Sequence, residues 1–294
     1  MPDRTRDDSP KAPRSARTGS PGAVIPIGGA EDLDPERQHS ILTEFIRLSG
    51  GKRSRIAVIP TASEDAATSG SGYCRHFETL GARQAEYLRI DEREDANQGS
   101  AIEFLRTATG VFITGGDQAR LVSLLVGTVV METLRERNRQ GVVVAGTSAG
   151  ASILAAHMMV PSALPGVASN NGSPRRGETD LVSGFGLLQD VIIDQHFSQR
   201  GRIGRLLEAF ASNPGLLGLG LDENTATVID RDGWLTVLGT GSVTIIDGRN
   251  ATSDFFERAP GEVVSVVDSH LFVLGPGRQF DLNSRRPAPF QSDE

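Results

Sequence analysis

The chain has 294 residues, of which 38% are hydrophobic and 23% charged, and a formal net charge of −7. That length and composition allow a sizeable core in one large α/β domain or two small ones. The acidic balance, with no dominant basic stripe, argues against a nucleic-acid partner, and the single Cys74 excludes an intramolecular disulfide and a cysteine zinc cluster.

Residues 1 to 22 are rich in Pro, Ser, Arg and Asp and nearly free of large apolar side chains, so a disordered tail is expected before a single domain over 23–294. The tail lacks the apolar centre of a secretory signal, and Asp3, Asp7 and Asp8 speak against a transit peptide. No run approaches the ~18 apolar residues of a membrane span. A cytoplasmic protein without a membrane partner is the expectation.

The first strand is expected at Ala23 to Ile27, breaking at Gly28-Gly29-Ala30. Asp34-Pro35-Glu36 then reads as a helix start, with Asp as N-cap and Pro at the first helical position. A second strand, Arg55 to Pro60, ends in Thr61-Ala62-Ser63. A helix around Tyr73 to Leu80, a short strand at Ala85 to Ile90 and a helix at Ala101 to Thr107 follow. Val111 to Thr114 is a strand that ends in Gly115-Gly116-Asp117-Gln118, and a long helix is expected from Ala119 to about Gln140. The apolar run Val142 to Ala145 then stops in Gly146-Thr147-Ser148-Ala149-Gly150, with a small-residue, helix-compatible segment behind it.

Strands alternating with helices imply right-handed crossovers and a mainly parallel central sheet flanked by helices. The strand ends at Gly28, Thr61, Gly115 and Gly146 would then share one sheet edge, where open α/β sheets bind ligands. Residues 161–180 read as a loop with Arg175-Arg176 near its end. From Leu216 the chain reads as short strands: Leu216 to Asp222, Ala226 to Ile229, Trp234 to Leu238, Ser242 to Ile246 and Val263 to Val267. Asp230 to Gly233 is a hairpin connection. These antiparallel strands are expected to extend the same sheet.

The Gly-x-Ser-x-Gly turn suits a nucleophile elbow, in which Ser148 Oγ stands exposed at a strand end. A serine nucleophile needs a base, an acid to orient the base, and oxyanion donors. The five histidines are dispersed and form no metal motif; neither a metal nor a cofactor is expected. His196, where Val191 to Ile193 runs into Asp194-Gln195-His196, is the best base. Glu223 is the candidate acid, with Asp222 its rival, because neighbours in a strand point to opposite faces. Gly116 and Ala149 N–H groups are the candidate oxyanion donors. Arg200, Arg202 and Arg205 suggest carboxylate recognition, since guanidinium holds carboxylate bidentately. Gln118 offers an amide to the same substrate.

Five motifs in order carry a resemblance: Gly28-Gly29-Ala30, Gly115-Gly116-Asp117-Gln118-Ala119-Arg120-Leu121, Gly146 to Ala151, Asp194-Gln195-His196-Phe197 with the spaced arginines, and Asp222-Glu223-Asn224-Thr225-Ala226. On these the chain resembles the serine peptidase family that contains cyanophycinase and dipeptidase E, over about residues 23 to 275. The resemblance implies a class I glutamine amidotransferase-like, flavodoxin-like α/β fold with antiparallel C-terminal strands. It implies Ser148 as nucleophile, His196 as base and Glu223 as acid. It places Gln118, Asp194, Gln195, Arg200, Arg202 and Arg205 where the family binds substrate, and it implies a homodimer. The implied substrate is cyanophycin, a poly-aspartate backbone with arginine on each β-carboxyl group, cleaved to β-Asp-Arg dipeptides. Each unit carries a guanidinium and a free carboxylate, so acids or amides are wanted beside arginines; Asp194 and Gln118 are the candidates for the guanidinium.

Other readings start from the same residues. A dipeptidase E-like enzyme would act on short aspartyl dipeptides. An α/β-hydrolase esterase would use Ser148, Asp222 or Asp247, and His270, but the chain lacks a His-Gly-Gly-type oxyanion loop. A catalytically silent binding protein would keep the pocket alone.

Overall fold

The computed structural model describes residues 20–31, 41–162, 164 and 172–290. The first half alternates strands β1 (Val24–Ile27), β2 (Arg55–Ile59), β3 (Gln84–Tyr87), β4 (Gly110–Ile113) and β5 (Val143–Thr147) with helices. The helices are α1 (Ile41–Leu48), α2 (Ala66–Thr79), α3 (Ser100–Thr107), α4 (Gln118–Leu125) and α5 (Val129–Arg139). A one-turn helix, α6 (Ala149–Ser152), leads into β6 (Ala155–Pro161), β7 (Thr179–Ser183), β8 (Leu188–Gln195) and α7 (Ile203–Ser212). The C-terminal part is β9 (Leu217–Leu221), β10 (Thr225–Ile229), β11 (Trp234–Gly239), β12 (Val243–Asp247), β13 (Thr252–Ser253), β14 (Val266–Val267), β15 (His270–Leu274), β16 (Gln279–Asp281) and β17 (Arg286–Pro287).

The central sheet has the order β17-β16-β11-β10-β1-β5-β4-β2-β3. Strands β1, β5, β4, β2 and β3 run parallel. Antiparallel β10, β11, β16 and β17 extend the sheet beyond β1, as expected for C-terminal strands. The other C-terminal strands do something the sequence reading did not foresee. β9, β12 and β15 join a second, six-stranded sheet of order β15-β12-β9-β8-β6-β7, while β13 and β14 pair with each other.

β1, β4 and β5 are buried throughout, which is why they read as unbroken apolar runs rather than alternating ones. Their residues still alternate between two cores. Ile25, Ile27, Phe112 and Ala145 face a core with Phe45 of α1 and Phe77 of α2. Val24, Val111, Ile113 and Val144 face the larger core shared with Leu219 and Ile245 of the second sheet. Beyond that sheet, Ile192 and Ile246 pack on Leu206 and Phe210 of α7. Each fully buried side chain of this size contributes about 1.5–3 kcal/mol.

Several expected boundaries move for local reasons. The helix expected from Ala119 to Gln140 is two helices. Gly127 takes φ +75, and Thr128 caps α5 by accepting the Met131 N–H. Asp117 caps α4 by accepting from the N–H groups of Ala119 and Arg120. The helix after Ser148 lasts one turn before β6 begins. The 161–180 loop is shorter than expected, since β6 reaches Pro161 and β7 starts at Thr179. In the expected Val263–Val267 strand only Val266–Val267 forms β14, while Val263 bridges to Arg175. The helix start at Asp34 and residues 1–19 of the tail lie outside the described residues. Residues 20–22 pack against the body: the Gly22 N–H donates to the Asn138 carbonyl at 2.7 Å. Among the described residues no helix is long and apolar enough to cross a membrane.

Candidate active site

The end of β1 organises the site. Three successive carbonyls there each accept a backbone N–H from a different loop: Ile27 from Ser148 at 3.0 Å, Gly28 from His196 at 2.8 Å and Gly29 from Asn224 at 2.8 Å. The loops after β5, β8 and β9 are thereby fixed against one another. The approach is too close for side chains: a Cβ at Gly28 would fall 1.9 Å from the Asp222 carbonyl oxygen.

Ser148 sits in the turn between β5 and α6 with φ 53 and ψ −116, a conformation that costs energy outside glycine. Small neighbours make the turn feasible. A Cβ at Gly146 would lie 2.0 Å from the Gly150 carbonyl oxygen, and one at Gly150 would lie 2.3 Å from that of Ile113. Ser148 Oγ is 2.9 Å from His196 Nε2, and His196 Nδ1 is 2.6 Å from Glu223 Oε1. A carboxylate only accepts, so the neutral ring carries its proton on Nδ1 and leaves Nε2 to accept from the serine hydroxyl. Burial pushes the His196 pKa below its ordinary value. The Glu223 hydrogen bond opposes that shift, and the positive charges of Arg200 and Arg202 add to it.

Asp222 faces elsewhere. Its carboxylate accepts from the Ser198 N–H at 3.0 Å, the Ser242 N–H at 3.0 Å and the Ser242 hydroxyl at 2.8 Å. These bonds hold its pKa below the usual value despite burial. Gly115 and Gly116 lie beside the serine; a Cβ at Gly115 would approach Ser148 Cβ to 3.0 Å. Among the described residues no backbone carbonyl takes the N–H of Gly116 or of Ala149.

The expected substrate residues divide into two groups. Arg200 is exposed and close enough to His196 to influence it. Asp194, expected to meet a guanidinium of the substrate, is instead fully buried and already paired. It takes Arg205 Nε on Oδ2 at 2.7 Å and Arg205 Nη2 on Oδ1, and Arg202 Nη1 lies 3.3 Å from Oδ1. Gln195 is also buried, and its Oε1 accepts from Arg202 at 2.6 Å. Desolvation lowers the Arg202 pKa to about 10. The four residues thus satisfy one another behind His196, a use that spacing alone does not reveal. Gln118 spends its amide N–H on the Met159 carbonyl at 3.0 Å, leaving its Oε1.

Other supporting residues were not foreseen. Glu31, directly after Gly28-Gly29-Ala30, is 7% exposed and accepts from Thr147 Oγ1 and Tyr73 OH, each at 2.5 Å. Burial, then the Glu31 charge, raises the Tyr73 pKa. Gln199 Oε1 accepts the Glu223 N–H at 3.0 Å. The only sequence signal was position: Glu31 ends one motif and Thr147 sits inside another. His270 and Asp247 face each other across β15 and β12 in the second sheet, and Asp247 is held by Arg249 and Arg285. Among the described residues no group of three or more His, Cys, Asp or Glu side chains is placed to hold a metal ion.

Residues 24–237 match the model of peptidase family S51. The chain belongs to peptidase family S51. It is therefore a serine peptidase, a hydrolase. The S51 relatives include a protein named cyanophycinase from Trichormus variabilis, 41% identical over 281 residues, covering 95% of this chain and 90% of the relative. Another of that name, from Synechococcus elongatus, is 38% identical, with 92% and 82% covered. A third, from Geminocystis herdmanii, is 35% identical, with 90% and 95% covered. Among solved structures, a peptidase from an acI-B1 Actinobacterium shares the fold with a TM-score of 0.61 at 22% identity, covering 87% of this chain and 99% of that one.

Proposed function

We propose that this S51 peptidase hydrolyses the poly-aspartate backbone of cyanophycin to β-Asp-Arg dipeptides, with Ser148 as nucleophile. The observation that carries the reading is the unbroken hydrogen-bond chain from Ser148 Oγ through His196 to Glu223, at 2.9 and 2.6 Å. The names of relatives at 35–41% identity support the substrate.

In this reading the turn at Ser148 is a nucleophile elbow. As Oγ attacks the peptide carbonyl carbon, His196 Nε2 takes its proton and Glu223 stabilises the imidazolium that forms. The negative charge on the former carbonyl oxygen meets the N–H groups of Gly116 and Ala149. Collapse breaks the C–N bond, His196 gives its proton to the leaving amine, and an acyl-enzyme remains. Water then attacks this ester with His196 again as base, releasing the dipeptide and restoring Ser148. Exposed Arg200 meets a free substrate carboxylate, and Gln118 Oε1 is left to accept from a substrate N–H. Arg202, Arg205, Asp194 and Gln195 form the frame that holds the segment after β8 in place. A cytoplasmic homodimer belongs to the same proposal; sedimentation of the purified protein checks its assembly.

The test is product analysis after incubation with insoluble cyanophycin, beside Ser148→Ala. Release of β-Asp-Arg by the wild type alone supports both substrate and nucleophile. No release from folded wild type, with cleavage of short aspartyl dipeptides, would replace the polymer by a dipeptidase E-like substrate.

A further inference from the structure

The sheet edge that carries Ser148 continues past β4 to a second feature. The ends of β2 and β3 wall a cavity of ≈ 230 Å³, bounded by Pro60 and Thr61 on one side, Ala67 of α2 behind, and Tyr87, Arg89 and Asp91 on the other. Ligands of open α/β sheets bind outside the carboxyl ends of strands, where this cavity lies.

Thr61 lies in its wall, with a hydroxyl closed off from the cavity. Thr61 is 1% exposed, and its buried hydroxyl has no hydrogen-bond partner among the described residues. Its carbonyl, by contrast, accepts from Arg120 Nε at 2.8 Å. At the rim, Arg89 Nε and Asp91 Oδ2 pair at 2.6 Å with side chains 81% and 47% exposed. A cation and an anion thus stand side by side, with hydrogen-bonding capacity left on both.

The cavity is joined to the loop beside Ser148. The Ala62 carbonyl accepts the Asp117 N–H at 2.8 Å, and Ser63 Oγ donates to the Gly115 carbonyl at 3.1 Å. Gly116, Asp117, Glu64 and Asp65 are exposed along the way. Ser148 follows β5, and β4, β2 and β3 lie next in the sheet in that order. Strands lie ~4.8 Å apart, which puts the cavity about 10–14 Å from the serine. An extended backbone covers that span in about three or four residues.

We propose that this cavity is a distal subsite that takes one arginine-bearing arm of the polymer, about three or four units from the bond cut at Ser148. The proposal rests on the cyanophycin reading above. Each arm presents a guanidinium to Asp91 and a free carboxylate to Arg89.

The experiment compares wild type, Arg89→Gln and Asp91→Asn on β-Asp-Arg oligomers of about two and about six units, lengths set by the span above. Both side chains stand at the exposed rim, so the melting temperatures should stay close to that of the wild type. Both variants should raise KM for the longer oligomer by about tenfold and leave the shorter one unchanged, because the lost contacts are hydrogen bonds to charged groups. Equal effects on both lengths, or none on either while the wild type cleaves both, would overturn the subsite. A wild type that cleaves neither would overturn the substrate reading, and the subsite with it.

Discussion

Gly29 lies against the imidazole of His196 so closely that a Cβ there would fall 2.3 Å from Cε1 and 2.6 Å from Nε2. The backbone at Gly29 also has φ +102, a region that L side chains rarely adopt. Gly29→Ala should therefore push the ring off Ser148. A displacement of this kind costs about 10²-fold in kcat. Steady-state kinetics with circular dichroism on the folded variant checks it; wild-type kcat would show that the ring has room to move.

The pH profile should follow His196. In the proposed mechanism the neutral ring is the base, and burial holds its pKa below 6.5, so kcat/KM should be level near neutrality and fall as the pH drops through that pKa. Arg200 contributes to the lowering. Arg200→Ala removes a positive charge that disfavours imidazolium, so the pKa rises and the acid limb moves to higher pH. A limb that stays put or moves down contradicts the placement of Arg200 beside the base.

Glu223 and Asp222 should separate cleanly. Glu223→Gln puts an amide NH2 where His196 Nδ1–H needs a carboxylate, favouring the wrong tautomer, and such a change lowers kcat by about 10⁴-fold. Asp222→Asn weakens the three hydrogen bonds to Ser198 and Ser242. Its cost should be in stability, about 1–3 kcal/mol, with kcat much less affected. Denaturant melts beside kinetics on both variants decide it; the reverse pattern would make Asp222 the acid.

Asp194→Ala strands the largely buried guanidinium of Arg205 and leaves that of Arg202 with Gln195 but no anion. Breaking a buried pair from one side destabilises by about 3–5 kcal/mol. A urea titration should show that loss. An unchanged midpoint with a raised KM would instead return Asp194 to the substrate.

Glu31 ties the end of β1 to the residue before Ser148 through the Thr147 hydroxyl at 2.5 Å. Glu31→Gln should lower kcat about tenfold at unchanged KM, since it loosens a turn rather than a substrate contact. Thr147→Val should reproduce the effect, and the double variant should be no worse than either alone. Additive losses would mean that the two residues act separately.

How much of this was legible in the sequence depends on what each residue does. β1, β2, β4 and β5 were readable because strands buried on both faces are continuous apolar runs. Ser148, His196 and Glu223 were readable because each closes such a run. The second sheet was not, since β9 and β10 are both five-residue strands buried throughout and only tertiary pairing separates them. Nor was the fate of Asp194 and the arginines. Charges spaced along one segment suit a cleft or a buried frame equally well, and the choice rests on whether β8 and α7 turn them toward each other. Thr128 escaped notice for the opposite reason: a lone cap inside a long helical pattern is a weak local signal against strong periodicity.

The measurement that tests the central claim most directly is kcat on cyanophycin for His196→Ala beside His270→Ala. The Ser148–His196–Glu223 account predicts a loss of at least about 10³-fold for His196→Ala and activity within about twofold of wild type for His270→Ala, whose histidine sits exposed on β15. A silent His270→Ala with an active His196→Ala would contradict the account and transfer the base to the second sheet.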